Sequence, residues 1–143
     1  MMENENVITQ LSIFVNNEPG RLAAIAGILK DFKINLKAFN LAESSEFGIL
    51  RAIVDEPDIA YENIRSRGVI VKKTGVIGIA MKDAPGSLFE AANVLGKAGI
   101  NVDYAYAYSG KNFESLFVRV DDIDNAIKEL KTAGMRLIKR SEI

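Results

Sequence analysis

The sequence contains neither cysteine nor histidine. Without cysteine there is no disulfide, no thiolate nucleophile and no cysteine-based metal site. Without histidine the commonest general base and the commonest neutral metal ligand are missing too. Both absences argue against catalysis, leaving carboxylate, lysine, serine and tyrosine chemistry. An excess of either charge is also lacking: 18 Lys and Arg stand against 19 Asp and Glu. The pairs Lys72-Lys73 and Lys139-Arg140 are too short to make the basic stripe of a nucleic-acid binder, so no nucleic-acid partner is expected. No run approaches the roughly 20 apolar residues that span a bilayer. The polar start, Met1–Asn6 with Glu3 and Glu5, has neither region of a signal peptide. These readings place the protein in the cytoplasm, with no membrane partner, no metal and no cofactor. A near-neutral chain depends on assembly or mixed surface charge, not on self-repulsion, for its behaviour in solution.

What is present is a soluble balance, 48% hydrophobic and 26% charged, over 143 residues. That length suffices for one ordinary domain or two very small ones. The sequence decides for two. Displaced by 66 positions, it aligns with itself without a gap. Glu18-Pro19-Gly20-Arg21-Leu22 falls on Ala84-Pro85-Gly86-Ser87-Leu88, Ile34-Asn35 on Ile100-Asn101, Val54-Asp55 on Val120-Asp121, and Gly68 on Gly134. There are roughly fifteen identities, concentrated at turns and core positions. Each copy is therefore a small domain, 7–73 and 74–140.

Period-two alternation predicts a first strand at 9–16, where Leu11, Ile13 and Val15 share a face, and its counterpart at 76–81. After the turns Asn17–Gly20 and Asp83–Gly86, two stripes recur at helical spacing: Leu22, Ile25, Ala26, Leu29 and Phe32, then Leu88, Ala91, Ala92, Leu95 and Ala98. The helices stop at Lys33 and Gly99. Hairpins follow, 36–42 with 47–54 and 102–108 with 113–120, turning through Glu43–Glu46 and Ser109–Asn112. Second helices begin at Asp55 or Glu56 before Pro57, and at Asp121, and end at Gly68 and Gly134. Short last strands are expected at 69–71 and 135–138, and Lys73-Thr74-Gly75 reads as the linker. The order is βαββαβ, twice. Right-handed crossovers put both helices of a copy on one face of a four-stranded antiparallel sheet, a ferredoxin-like α+β sandwich. The liability of open edges leads to the expectation that the two sheets lie side by side in one joined sheet.

The turn after the first strand is the best candidate site. A helix N-terminus offers free amides and partial positive charge, which suit a carboxylate. Gly20 and Gly86 let a ligand approach the backbone, and Asn17 and Asp83 can cap the helix or accept from an ammonium group. The plainer reading of Asx-x-Pro-Gly is a helix-start turn and nothing more. Asn35 and Asn101, where helix hands over to strand, read either as turn chemistry or as lining a domain interface. Tyr104, Tyr106 and Tyr108 share one strand face and suit packing or a subunit interface better than base stacking. Arg51 and Arg119 stand in apolar strands and either meet solvent or pair with an acid.

With its repeated unit, its Asn17–Leu22 and Asp83–Leu88 turns, its helix exits at Ile34-Asn35 and Gly99-Ile100-Asn101, and its stretch Leu41–Arg51, the chain resembles the stand-alone tandem ACT-domain proteins from Ile8 to Lys139. That resemblance implies an amino-acid-binding regulatory protein, not an enzyme, with the ligand held between ACT units. Carried over, the ligand-binding residues are Asn17, Glu18, Pro19, Gly20, Arg21 and Leu22 with Asn35 and Leu36, and Asp83, Ala84, Pro85, Gly86, Ser87 and Leu88 with Asn101 and Val102. It further implies a small-molecule ligand, an L-amino acid, a homodimer, and a regulated enzyme or regulator as partner. Asn17 against Asp83 and Lys33 against Gly99 imply two sites that are not equivalent. The alternatives are an interaction-only protein of the same fold and a small acylphosphatase-like enzyme, whose glycine-rich phosphate loop is not visible here. A metallochaperone would need a Cys-x-x-Cys loop.

Overall fold

Leu11, Ile13 and Val15 do alternate along a strand and bury the same face of it, and burial of one apolar face organises the other elements too. The computed structural model describes residues 4–43, 47–82, 84–109 and 114–143. Its elements are β1 (Val7–Asn16), α1 (Arg21–Asp31), β2 (Leu36–Glu43), β3 (Phe47–Val54), α2 (Pro57–Ser66), β4 (Val71–Met81), α3 (Ser87–Lys97), β5 (Val102–Ser109), β6 (Glu114–Val120) and α4 (Ile123–Thr132), with a 3₁₀ turn at Arg140–Glu142. They form two compact units. One is Thr9–Thr74; the other is Gly75–Ile143 together with the residues up to Ile8.

In the unit Thr9–Thr74, β3 is paired antiparallel on both sides. Leu11 and Ile13 of β1 lie opposite Ala52 and Leu50, and Phe39 and Leu41 of β2 lie opposite the same two residues. The first residues of β4 lie beyond β1, where the Phe14 amide donates to the Ile70 carbonyl at 3.0 Å. Leu11, Ile13, Val15, Leu50 and Val54 bury one sheet face against Ile25 and Leu29 of α1 and Ala60 and Ile64 of α2. Each valine, leucine or isoleucine among them contributes about 1.5–3 kcal/mol by leaving water.

The other unit repeats the plan. Ile77 and Ile79 of β4 lie opposite Val118 and Leu116 of β6, and β5 pairs with the far side of β6. Ile77, Ile79, Leu116, Val118 and Val120 pack on Ala91 and Leu95 of α3 and on Ala126, Ile127 and Leu130 of α4. Val7 packs on this core, the Asn6 side-chain amide donates to the Ile138 carbonyl at 3.4 Å, and the Arg140 amide donates to the Glu5 carbonyl at 3.0 Å. On the opposite sheet face Tyr106 is buried against Phe117, ring centroids 5.7 Å apart, which gives that tyrosine a packing role. Arg119 donates to the Gly75 carbonyl at 2.7 Å, not to an acid, and Arg51 donates to the Asn40 side chain at 3.3 Å.

Several expectations are corrected. Lys73-Thr74-Gly75 is not a linker but lies within a continuous strand, since β-branched Thr74 and the flanking Val71 and Val76 suit extended backbone. The segment 135–138 is not a full strand: it touches the ladder at one bridge, Leu137 to Ile79, beside bonds from Ala80 to Arg136 and from Ile138 to Gly78. The cap of α4 is Asp122, which accepts from the Asn125 amide, and Asp121 accepts instead from the Asn101 amide at 3.1 Å. Glu56 precedes Pro57 but makes no side-chain cap. The buried stripes are narrower than read. Leu22, Ala26, Leu88 and Ala92 are exposed, because they lie off the narrow face on which Ile25 and Leu29, or Ala91 and Leu95, are buried. Gly68 and Gly134 do end α2 and α4, at φ 77° and 80°. The hairpin tips 44–46 and 110–113 lie outside the described residues, as does Asp83.

Candidate functional site

Among the described residues, backbone bonds and the Ser87 hydroxyl hold the turn before α3. The Ala84 amide donates to the Lys82 carbonyl at 2.8 Å, and the Ser87 hydroxyl lies 2.7 Å from the Lys82 carbonyl and 3.1 Å from that of Ala84. Gly86 then occupies the N-cap with φ 94°, and among the described residues no side chain caps the helix. The first copy matches: the Glu18 amide donates to the Asn16 carbonyl at 2.8 Å, and Gly20 is an uncapped N-cap at φ 85°. Asn17 is therefore not a cap, because the left-handed glycine takes that position. A Cβ on Gly20 or Gly86 would meet nothing within 4 Å. Glycine is required there by backbone conformation, and the space beside it is open.

Within each copy the turn after the first strand and the start of the second strand lie at opposite ends of the sheet. Asn16, beside the Pro19-Gly20 turn, lies opposite Phe47, whereas Leu36 lies opposite Val54 at the far end of β3. In the second copy Met81 lies opposite Glu114 and Val102 opposite Val120. At about 3.3 Å per residue, the turn and the asparagine of one copy stand more than about 20 Å apart. No copy brings its own Asn35 or Asn101 to its own Pro-Gly turn. The asparagines also differ. Asn101 donates through its side chain to Asp103 at 3.0 Å and through its amide to Asp121, while Asn35 is exposed. Leu36 packs against the core of its unit and Val102 is half-exposed.

What the second copy does bring together is a groove of about 490 Å³ beside its Pro-Gly turn. Ala84, Pro85 and Ser87 form one wall, and Ala133, Gly134 and Met135, just past α4, form the other. Buried Ile79 and Ala91 with half-buried Met81 and Met135 make an apolar floor, and exposed Lys82, Glu90 and Arg136 stand around it. The Arg136 guanidinium also pairs with the Glu142 carboxylate. Both signs of charge thus surround an apolar hollow at a helix N-terminus. Glu90, Met135 and Arg136 were not anticipated; the signal available was that helix starts and the exits of second helices share one end of a βαββαβ unit. Among the described residues no group of three acidic, histidine or cysteine residues could hold a metal ion, and no helix is long and apolar enough to cross a membrane.

A family model described as an ACT domain pair matches residues 6–141. Among solved structures, protein BT0572 of Bacteroides thetaiotaomicron is 35% identical with a TM-score of 0.92, the match covering 98% of this chain and 97% of that one. The regulatory subunit of aspartate kinase from Thermus thermophilus, in its ligand-free form, has a TM-score of 0.60 at 12% identity, over 91% and 95% of the two chains. Its counterpart from Thermus flavus has a TM-score of 0.61 at 11% identity, over 90% of each chain. At these identities the two kinase subunits share the fold. Comparison with functionally curated proteins gave no match.

Proposed function

The chain belongs to the ACT domain pair family, and on that premise we propose that it is a regulatory protein that binds a small molecule, an L-amino acid, and catalyses no reaction. The observation that carries this reading is the groove of the second copy. An α-amino acid needs donors for its carboxylate, an acceptor for its ammonium group and room for its side chain. Lys82, Arg136 and the start of α3 offer the first, Glu90 the second, and the floor of Ile79, Met81 and Met135 the third. The absence of histidine and cysteine from the sequence and the regulatory role named for the two Thermus subunits support the same reading. The ligand would act by favouring one arrangement of the protein over another, which requires unequal affinity for the two. A regulated enzyme or regulator would read the change.

A thermal-shift screen of the common L-amino acids at millimolar concentration tests this. At a ligand concentration of about 100 Kd, linkage stabilises by about 2.7 kcal/mol, which raises Tm by about 5–10 °C for a chain of this size. A melting curve unmoved by every amino acid overturns the proposal.

A further inference from the structure

Arg136 belongs to the groove and to a second feature as well. It lines the groove, and its guanidinium pairs with the Glu142 carboxylate in the 3₁₀ turn Arg140–Glu142. The other oxygen of that carboxylate accepts from the Lys139 amide at 2.9 Å, which closes the turn. The turn is a weak element. Its backbone bonds run from the Glu142 amide to the Lys139 carbonyl at 2.9 Å and from the Ile143 amide to the Arg140 carbonyl at 3.2 Å, and 3₁₀ runs have poorer hydrogen-bond geometry than an α-helix. It also holds residues distant in sequence. The Arg140 guanidinium donates to the Asn4 carbonyl at 2.8 Å, and the Lys139 ammonium stands 3.9 Å from the Glu5 carboxylate.

The duplicated unit supplies a comparison. Ile70 stands in the first copy where Arg136 stands in the second, and the backbone match is close. The Phe14 amide donates to the Ile70 carbonyl at 3.0 Å, as the Ala80 amide does to that of Arg136 at 2.9 Å. Asn16 and Ala24 likewise stand in place of Lys82 and Glu90, and buried Ile25 takes the place of buried Ala91 on the floor. The fold therefore requires neither these charges nor a small residue on the floor. The second copy has both, and sets them around an arginine that the turn also uses.

We propose that Arg136 is a latch with two positions. Without ligand it holds Glu142 and docks the turn Arg140–Glu142; with an L-amino acid in the groove it grips the ligand's carboxylate and the turn comes free. This rests on the ligand-binding reading of the groove and supplies it with the two arrangements that regulation requires. Glu142 and the ligand compete because they offer the same group. A guanidinium takes a carboxylate through two parallel N–H bonds, and a second carboxylate beside the first is a like charge at close range. The competition is reciprocal: what the docked turn takes from ligand affinity, the ligand takes from the docking of the turn. An exposed ion pair is worth a factor of about 2–5 in an equilibrium, so the latch is a graded device and not an all-or-none switch. Its release also loosens Asn4 and Glu5, which gives a regulated partner a segment to read.

Hydrogen exchange on the full chain, read at the amides of Arg140, Glu142 and Ile143, tests the latch, with circular dichroism confirming that each variant is folded. Without ligand, Arg136→Gln should speed exchange at these amides about 2- to 5-fold. A mixture of the neutral L-amino acids at millimolar concentration should speed it in the wild type by a similar factor while raising Tm. The matching amino-acid amides, which lack the carboxylate, should not speed it. In Glu142→Gln the mixture should give the same rise in Tm at about 2- to 5-fold lower concentration. Asp124→Asn, which removes a carboxylate from the first turn of α4, should respond as the wild type does. The latch is overturned by Arg136→Gln exchanging at the wild-type rate, by a mixture that raises Tm without loosening the turn, by amides that loosen it equally, or by a Glu142→Gln variant that binds no tighter. If Arg136→Gln loosens the turn but the mixture moves Tm in neither the wild type nor Glu142→Gln, the ligand reading itself is overturned, and the latch falls with it.

Discussion

Lys33 holds the left-handed backbone conformation, φ 54°, that Gly99 holds at φ 73° in the same place of the second copy. The turns close identically: the Ile34 amide donates to the Leu29 carbonyl and the Ile100 amide to the Leu95 carbonyl, both at 2.9 Å. A side chain in this conformation costs about 1–2 kcal/mol, offset in part by its smaller entropy loss relative to glycine. Lys33→Gly should therefore stabilise the protein by about 1 kcal/mol. Urea unfolding checks this, and an unchanged or lower midpoint would contradict it.

Gly86 tests the ligand reading from the protein side. At φ 94°, with nothing within 4 Å of the place a Cβ would take, Gly86→Val is strained by its backbone conformation. It should cost about 1–2 kcal/mol, keep the fold, and abolish most of the amino-acid-dependent rise in Tm. Gly68→Val, strained alike at φ 77° but at the end of α2, should keep that rise. Equal responses from the two variants would dissociate the Pro-Gly turn from binding.

Gly78 admits the C-terminal segment to the sheet. A Cβ there would lie 3.0 Å from Ile138 Cβ and Cγ1 and 3.1 Å from a Phe117 ring carbon. These atoms are buried, and the Ile138 amide donates to the Gly78 carbonyl at 2.7 Å. Gly78→Ala should destabilise by about 1–3 kcal/mol through overpacking. Calorimetry on both proteins reads the difference; a neutral result would mean that Ile138 can yield.

Glu142 gives the last turn a pH dependence. The Lys139 amide, 2.9 Å from one carboxylate oxygen, holds its pKa below the usual glutamate value; burial opposes this, and the Arg136 guanidinium adds to the lowering. A carboxyl whose folded pKa is depressed stabilises above its unfolded pKa and loses that contribution as pH falls through the folded one. The gain at neutral pH should be under about 1 kcal/mol, because the pair stands near the surface. Glu142→Gln should therefore be less stable than the parent at pH 7, and the difference should close as pH falls through the depressed folded pKa, as urea titrations would register.

Much of the fold was legible because it rests on local chemistry. Pro19-Gly20, Pro85-Gly86, Gly68 and Gly134 mark their turns because few other residues accept the φ values of these glycines, and period-two alternation reveals β1 and the later part of β4 directly. What alternation cannot tell is what covers the second face of a strand. Gln10 reads as an outward polar residue, yet it is fully buried, with its side-chain amide on the Ser12 hydroxyl at 3.1 Å and that hydroxyl 3.1 Å from Thr74. The groove was hidden for a related reason. Its walls, at Pro85 and Met135, are distant in sequence and adjacent only through the order of strands. Naming the loop residues of the candidate site was possible; seeing that Asn35 and Asn17 belong to opposite ends of one sheet required the register.

The packing of Asn6 and Val7 onto the unit that ends at Ile143 fixes an order of events during synthesis. On the ribosome the residues from Thr9 to Thr74 have the core partners of their own unit as soon as they emerge. The residues before them precede that segment in the chain yet must wait for Ile138 and Arg140 to appear, so that this unit closes second.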